Sequence, residues 1–270
     1  MRRERALAER TVADFGEQWV RYTDNSGFYG SVELFHDVFG PLLGPDDVRG
    51  RRVADVGSGT GRIVHMLVAA GAAHVTAIEP SAAFAVLEEA TQCHGDRVRC
   101  LRAAGDQIPA EDFDLVVSVG VLHHVPDPRP VLRAAWRALR PGGTLAVWVY
   151  GREGNEAYLA LVLPLRWLTV RLPHRPLVGL CWLLTAGLGL YAAACAHLPL
   201  PLRGYMRSVV SRLPRDKRFL VVYDQLNPAY ARYYRRQEAI EMLAGAGFTE
   251  VEAYHRHGYS WALSGRRPRA

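Results

Sequence analysis

Between residues 51 and 150 the apolar positions recur with two periods in turn. RRVADVG, HVTAIE, RVRCLRA, FDLVVSVG and TLAVWVYG are short runs rich in β-branched residues and apolar on both faces, which predicts buried strands. Between them lie stretches of helical period: about Gly61 to Ala70, SAAFAVLEEATQ from Ser81, and Asp127 to Leu139. In the last, Val131, Leu132, Ala135, Trp136 and Leu139 make one face, and PGG ends it. Ser81 can cap its helix by accepting from an orphan backbone N–H. The tail returns to the same style. A helix from Arg236 to Ala246 ends at Gly247, and TEVEAYHRH and SWALSGRRP follow as a strand pair. This alternation predicts an α/β chain with a doubly wound, mostly parallel sheet of seven strands and helices on each side.

The pattern breaks between 152 and 235, far longer than an ordinary connection. Within it, PLVGLCWLLTAGLGLYAAACAHLPLPL separates Arg175 from Arg203 without one charged residue. By length it could cross a membrane, where a helix needs ~20 apolar residues. A single crossing would leave the last helix and strand pair on the far side of the bilayer from the rest of their sheet. The one candidate for a return, 156–172, is short and broken by Pro164 and Arg166. The insert therefore reads as helices of a cap. Pro173, Pro176, Pro199 and Pro201 bound its segments, and Gly187 and Gly189 weaken a continuous helix. Two placements stay open for it: a roof over an acceptor pocket, or peripheral contact with a membrane through 157–203. A partner subunit in a homodimer would cover the same surface.

Composition adds little beyond this. The 270 residues are 49% hydrophobic and 22% charged, with a net charge of +6. The surplus is local: nine cations stand against Asp216 and Asp224 between Arg203 and Arg236, directly after the uncharged run. A solvated basic face and contact with anionic lipid or phosphate both fit that cluster. Cys93, Cys100, Cys181 and Cys195 form no CxxC pair and no His/Cys cluster along the sequence, so reduced thiols and no metal are expected. The start, MRRERALAERTVADFG, lacks the apolar stretch of a signal peptide. The expected setting is the cytoplasm, with peripheral attachment to the inner membrane face as its variant.

Candidate chemistry begins at DVGSGTG, Asp55 to Gly61, where a strand turns into a helix. Glycines at 57, 59 and 61 permit a tight turn and close approach of a ligand to the backbone. The spacing is GxGxG, not the GxGxxG of dinucleotide binding. Glu79 ends the second strand, where a carboxylate can accept both hydroxyls of a ribose. Asp106 follows the third strand, where it can accept from the exocyclic amine of an adenine. FDLVVSVGVLHHVPD and LRPGGTLAVWVY complete the order.

In that order these segments resemble the class I S-adenosylmethionine-dependent methyltransferases, of the type whose fourth strand leads into LHH. The resemblance covers about residues 50–150. It extends more loosely to NPAYARYYRRQEAIEMLAGAGF and the final strand pair. It implies a Rossmann-like core of 46–151 and 232–270, an N-terminal helical lid of 1–45 and an apolar helical cap of 152–231. It implies S-adenosylmethionine as cofactor. Gly57, Ser58, Gly59 and Gly61 would carry the turn at the methionine, with Asp55 near its amino group. Glu79 and Pro80 would lie at the ribose, Asp106 and Gln107 at the adenine, and Ser118, Val119 and Gly120 along the methionine side. His123 or His124 could act as general base, although an activated sulfonium needs mainly positioning. Trp19, Tyr22 and Tyr29 belong to the lid, and Tyr223, Tyr230 and Tyr233 offer flat surface to an acceptor.

The expected function is methyl transfer to a lipophilic small molecule, at oxygen. A nicotinamide-dependent oxidoreductase and a non-catalytic, membrane-associated member of the fold stay open as rivals. Nucleic acid is not the expected acceptor. The NPPY or DPPY motif that receives a flipped base is absent, and NPAY at 227–230 comes too late in the chain.

Overall fold

Strand propensity and a double-sided apolar pattern put seven segments into one sheet. The structure, a computed structural model, describes residues 2–269. The strands are β1 (Arg52–Val56), β2 (His74–Ile78), β3 (Val98–Leu101), β4 (Phe113–Val119), β5 (Leu139–Tyr150), β6 (Thr249–Arg256) and β7 (Ser260–Arg266). Their order is β3-β2-β1-β4-β5-β7-β6, with β1 to β5 parallel and β7 antiparallel to both β5 and β6. Successive residues serve opposite faces: Val53 and Leu115 enter one core, Ala54 and Val116 the other.

The helices are α1 (Arg2–Arg21), α2 (Val32–Phe39), α3 (Pro45–Val48), α4 (Arg62–Ala69), α5 (Phe84–Thr91), α6 (Arg129–Ala138), α7 (Glu156–Thr169), α8 (His174–His197), α9 (Arg203–Ser208), α10 (Arg215–Leu226) and α11 (Arg236–Ala244). Leu34 and Phe35 of α2 and Val64 and Leu67 of α4 pack on one face of the sheet. Leu132 and Ala135 of α6 and Ala239 and Leu243 of α11 pack on the other. The strand order reverses between β1 and β4. At such a switch point the loops diverge and leave a crevice at the carboxyl ends.

Three local expectations shift. Ser81 caps the turn before α5 rather than the helix itself, its Oγ accepting from Ala83 N–H at 3.1 Å, and the helix starts at Phe84. PGG does not stand outside the fifth strand. β5 begins at Leu139 opposite Phe113, then slips register to Thr144 opposite Leu115. The extra residues bulge outward, and Gly142 takes φ +77. At the end of α11 the cap residue is Gly245, while Gly247, at φ +94, donates its N–H to Ala244 O.

The 152–231 segment carries α7 to α10. Leu177 and Cys181 of α8, Leu159 and Val162 of α7, and Phe219, Leu220 and Tyr223 of α10 share the core on the α2–α4 side of the sheet. Arg166, 7% exposed, ties α7 to the end of α10 by donating to Gln225 O (3.2 Å) and Pro228 O (2.6 Å).

Candidate functional site

The crevice at the switch point opens into a cavity of about 890 Å³. That is toward the upper end of ligand sites, roughly 300–1,000 Å³, and leaves room for two ligands side by side. Its floor is the bend after β1. Gly57, Gly59 and Gly61 take φ of +78, +52 and +82, conformations that only glycine adopts without strain. A Cβ on Gly57 would stand 2.4 Å from Val121 Cγ2, so the chain after β4 lies directly against the bend.

Glu79 faces that bend. Its Oε2 accepts from Gly59 N–H at 2.8 Å and its Oε1 from Ser81 N–H at 2.9 Å. These bonds fix both oxygens at the cavity wall and leave each a further lone pair for a ligand hydroxyl. Pro80, Gly105, Asp106 and Gln107 continue the wall beyond Glu79, and Val119, Gly120 and Val121 form the opposite side. Asp106 and Gln107 are exposed at the rim.

Two of the cofactor candidates face elsewhere. Ser118 is one residue out of phase with Val119, so alternation along β4 turns it away, and its Oγ donates to Val56 O at 3.4 Å. Asp55 lies beneath the bend, 1% exposed, with Oδ2 lacking a partner. Burial pushes its carboxyl up to about 7, with the charge of Glu79 adding to the shift. Gly61 is buried in the turn behind the lining residues.

The histidines divide in the same way. His123 is fully buried, 3.8 Å centroid to centroid from Tyr150, and does not reach the cavity. Both of its ring nitrogens lack partners. Desolvation holds its pKa well below the usual value, so it is neutral and fills space. His124 lines the cavity. Its Nδ1 lies 2.7 Å from Tyr230 O. A carbonyl only accepts, so Nδ1 carries the proton and Nε2 is left as an acceptor. Burial lowers its pKa to about 3.

One face of α1 roofs the cavity through Val12, Phe15 and Trp19, with Trp19 resting over Gly59. Tyr29 joins them on the wall. Tyr22 instead packs edge-on against Tyr223, and Tyr223 is buried with its hydroxyl 3.0 Å from His174 Nδ1. Tyr230 contributes its carbonyl to His124. Tyr233 stands behind the wall, stacked on Tyr150 and donating to Gln225 Oε1 at 2.6 Å.

The remaining wall comes from residues that no motif marks: Tyr205, Val209, Leu213, Val221, Asp224 and Gln225 of the 152–231 segment, with Arg256 and Tyr259 from the last two strands and their turn. Asp224 accepts from Gln18 Nε2 of α1 through Oδ1. Desolvation raises its carboxyl to about 7. Arg256 is held by Asp37 (Nε to Oδ2, 2.8 Å) and donates to the Tyr259 hydroxyl. The buried Lys217 is held by Asp24 at 2.7 Å, beside the Tyr29 ring.

Away from the cavity, the fold corrects one reading of the cysteines. Cys93 and His94 follow α5 and meet His65 of α4, with donor atoms of all three within 4.8 Å of one another. The two imidazoles are closed on each other by a 2.7 Å ring-to-ring hydrogen bond, and Cys93 is turned to Ala90 O.

A cradle of left-handed glycines, a carboxylate turned onto it and a polar rim beyond fit an adenosyl ligand laid across β1 and β2. Residues 54–147 match the family described as a methyltransferase domain. The ubiquinone biosynthesis O-methyltransferase of Neisseria meningitidis serogroup C (strain 053442) is 31% identical over 176 residues, which cover 61% of this chain and 71% of that protein. The tRNA U34 carboxymethyltransferase of Desulfotalea psychrophila is 32% identical over 116 residues, 42% of this chain, and the match spans only 36% of that relative's length. In fold, the chain resembles an S-adenosylmethionine-dependent methyltransferase from Mesorhizobium loti, with a TM-score of 0.50 and 19% identity over 82% of this chain and 93% of that one. The chain belongs to the class I S-adenosylmethionine-dependent methyltransferases.

Proposed function

We propose that this chain methylates a hydroxyl of a lipophilic small molecule. The observation that carries the reading is one cavity with two unlike halves. One half is the glycine bend with Glu79. The other is a largely aromatic and aliphatic wall, with Asp224, Gln225 and Arg256 among its polar members.

S-adenosylmethionine, when bound, supplies an activated methyl group. Glu79 would accept from its ribose hydroxyls, and Asp106 with Gln107 would meet its adenine edge. Trp19 and Phe15 close over the ligand from α1 and exclude water, which strengthens every polar contact inside. Tyr205, Val209 and Val221 would hold the acceptor body against the cofactor half of the cavity. Asp224 receives the hydroxyl proton. Its pKa near neutrality suits that exchange, and Gln18 fixes its orientation. His124, neutral in one tautomer, orients the ligand through Nε2 rather than acting as the base. The lipophilic acceptor name borne by one relative, a ubiquinone biosynthesis O-methyltransferase, supports an apolar, hydroxyl-bearing substrate for this chain as well. Such an acceptor has its natural source in a membrane.

Isothermal titration with S-adenosylmethionine tests the cofactor half. Wild type should bind, and Glu79→Ala should weaken binding by about tenfold to a hundredfold, the loss of charge-assisted hydrogen bonds of ~1.5–3 kcal/mol. No binding by wild type, or unchanged binding by the variant, refutes the reading.

A further inference from the structure

The helices α7 and α8 each have an inner and an outer side, and the outer sides are apolar. On α8, Leu177, Cys181, Thr185, Ala192 and Cys195 face inward. Trp182, Leu183 and Leu190 face out, the two leucines 71% and 76% exposed. On α7, Leu159 and Val162 face inward, while Leu161 (77%), Trp167 (63%) and Leu168 face out. A solvated helix surface would carry charge at such positions. Here none occurs between Arg175 and Arg203.

We propose that the outer faces of α7 and α8 lie in the headgroup boundary of an anionic lipid bilayer. The proposal deepens the lipophilic-acceptor reading by naming where the acceptor is met, and its test requires no turnover. Charge decides between occupants. From Ala157 to Arg215 the chain has no Asp or Glu and seven arginines. Arg166 is spent on internal carbonyls and Arg212 on Glu33. Arg171 lies over the Trp167 ring at 4.3 Å and Arg215 over Trp182 at 5.3 Å. Each apolar face is thus edged by a guanidinium on an aromatic ring, the pairing that suits an interface with one dry side and one anionic side. A second copy of the chain would present the same positive charge and be repelled.

The geometry also selects lying flat over crossing. Helix α8 is 24 residues long and apolar enough to span. Its inner side, however, is committed to the body: Leu177 and Cys181 pack into the core, His174 bonds Tyr223, and Arg203 Nε donates to Cys195 O at 3.0 Å.

The experiment is co-sedimentation of the full chain with vesicles of phosphatidylcholine alone and with phosphatidylglycerol added. Binding should be at least about tenfold stronger to the anionic vesicles, since each cation at such a surface contributes ~1 kcal/mol. Leu183→Glu with Leu190→Glu should abolish it, and Arg171→Glu should weaken it about tenfold. Unchanged titration with S-adenosylmethionine by these variants shows that the fold is intact. Vesicle binding without cofactor binding would remove the methyltransferase reading and leave this one standing. Equal binding to both vesicle types, no binding, or a dimer in sedimentation velocity that the leucine substitutions dissolve would overturn it.

Discussion

Asp224 shows how much one side chain depends on its surroundings. It stands on α10 two turns from Lys217, yet among the described residues its hydrogen bond is to Gln18, and desolvation lifts its carboxyl to about 7 from an ordinary 3.8. The sign of the linkage follows. A carboxyl whose pKa is higher folded than unfolded favours folding in its protonated form. That stabilisation is complete below the unfolded value and is lost as pH rises through about 7. Thermal melts of wild type should therefore fall from about pH 5 to about pH 8, and Asp224→Asn should flatten part of that slope. Asp55, raised in the same direction, retains the rest. If Asp224 takes the acceptor proton, the wild-type rate rises with pH through the same region, and the Asn variant loses that rise along with most of its turnover. At this scale the sequence was legible where alternation or a turn decides direction: Glu79 and the glycines could be placed from their neighbours alone. It was opaque for Ser118 and Asp55, where one step of strand phase turned a side chain from the cavity. For Asp224 no neighbouring residue hints at a place on the cavity wall.

At the scale of elements, the bend after β1 and the joint between α7 and α10 are the two places where a small change has a large effect. Gly57→Ala adds strain at φ +78 and drives a Cβ into Val121. It should cost about 1–3 kcal/mol in chemical denaturation and weaken cofactor binding as Val121 is displaced. Arg166→Leu leaves the carbonyls of Gln225 and Pro228 buried without donors. It should lower stability by about 1–3 kcal/mol, the desolvation of groups left unpaired, in the same measurement. The central strands were readable because they bury both faces, and the edge strands β3 and β6 because they keep a strand's period beside them. The helices of 152–231 were readable as helices bounded by prolines. Their placement was not, because it rests on contacts between α7, α8 and α10 that no local pattern encodes. The cavity wall from Tyr205 to Tyr259 was hidden for the same reason.

At the scale of the whole molecule, the cavity is closed by parts that are distant in sequence and joined by few bonds. Helix α1 is tied down by side chains: Asp14 Oδ2 accepts from Ala229 N–H at 2.8 Å, and Asn227 reaches Asp14 O and Gln18 at 3.3 Å. Such a segment opens locally at a small fraction of the global free energy. A ligand beneath Trp19 would bind the closed form and favour it by mass action. Hydrogen exchange should accordingly slow in α1 on adding S-adenosylmethionine, with little change in α11 on the far side of the sheet. Equal slowing in both helices, or none in α1, would remove the lid assignment.

The arginine-only stretch from Ala157 to Arg215 has one more consequence. The seven guanidiniums on it keep their charge throughout the physiological range. The pull of those guanidiniums on an anionic surface would not change with acidity. It would instead weaken as ionic strength rises and the counterion cloud shortens the reach of each guanidinium to ~8–10 Å.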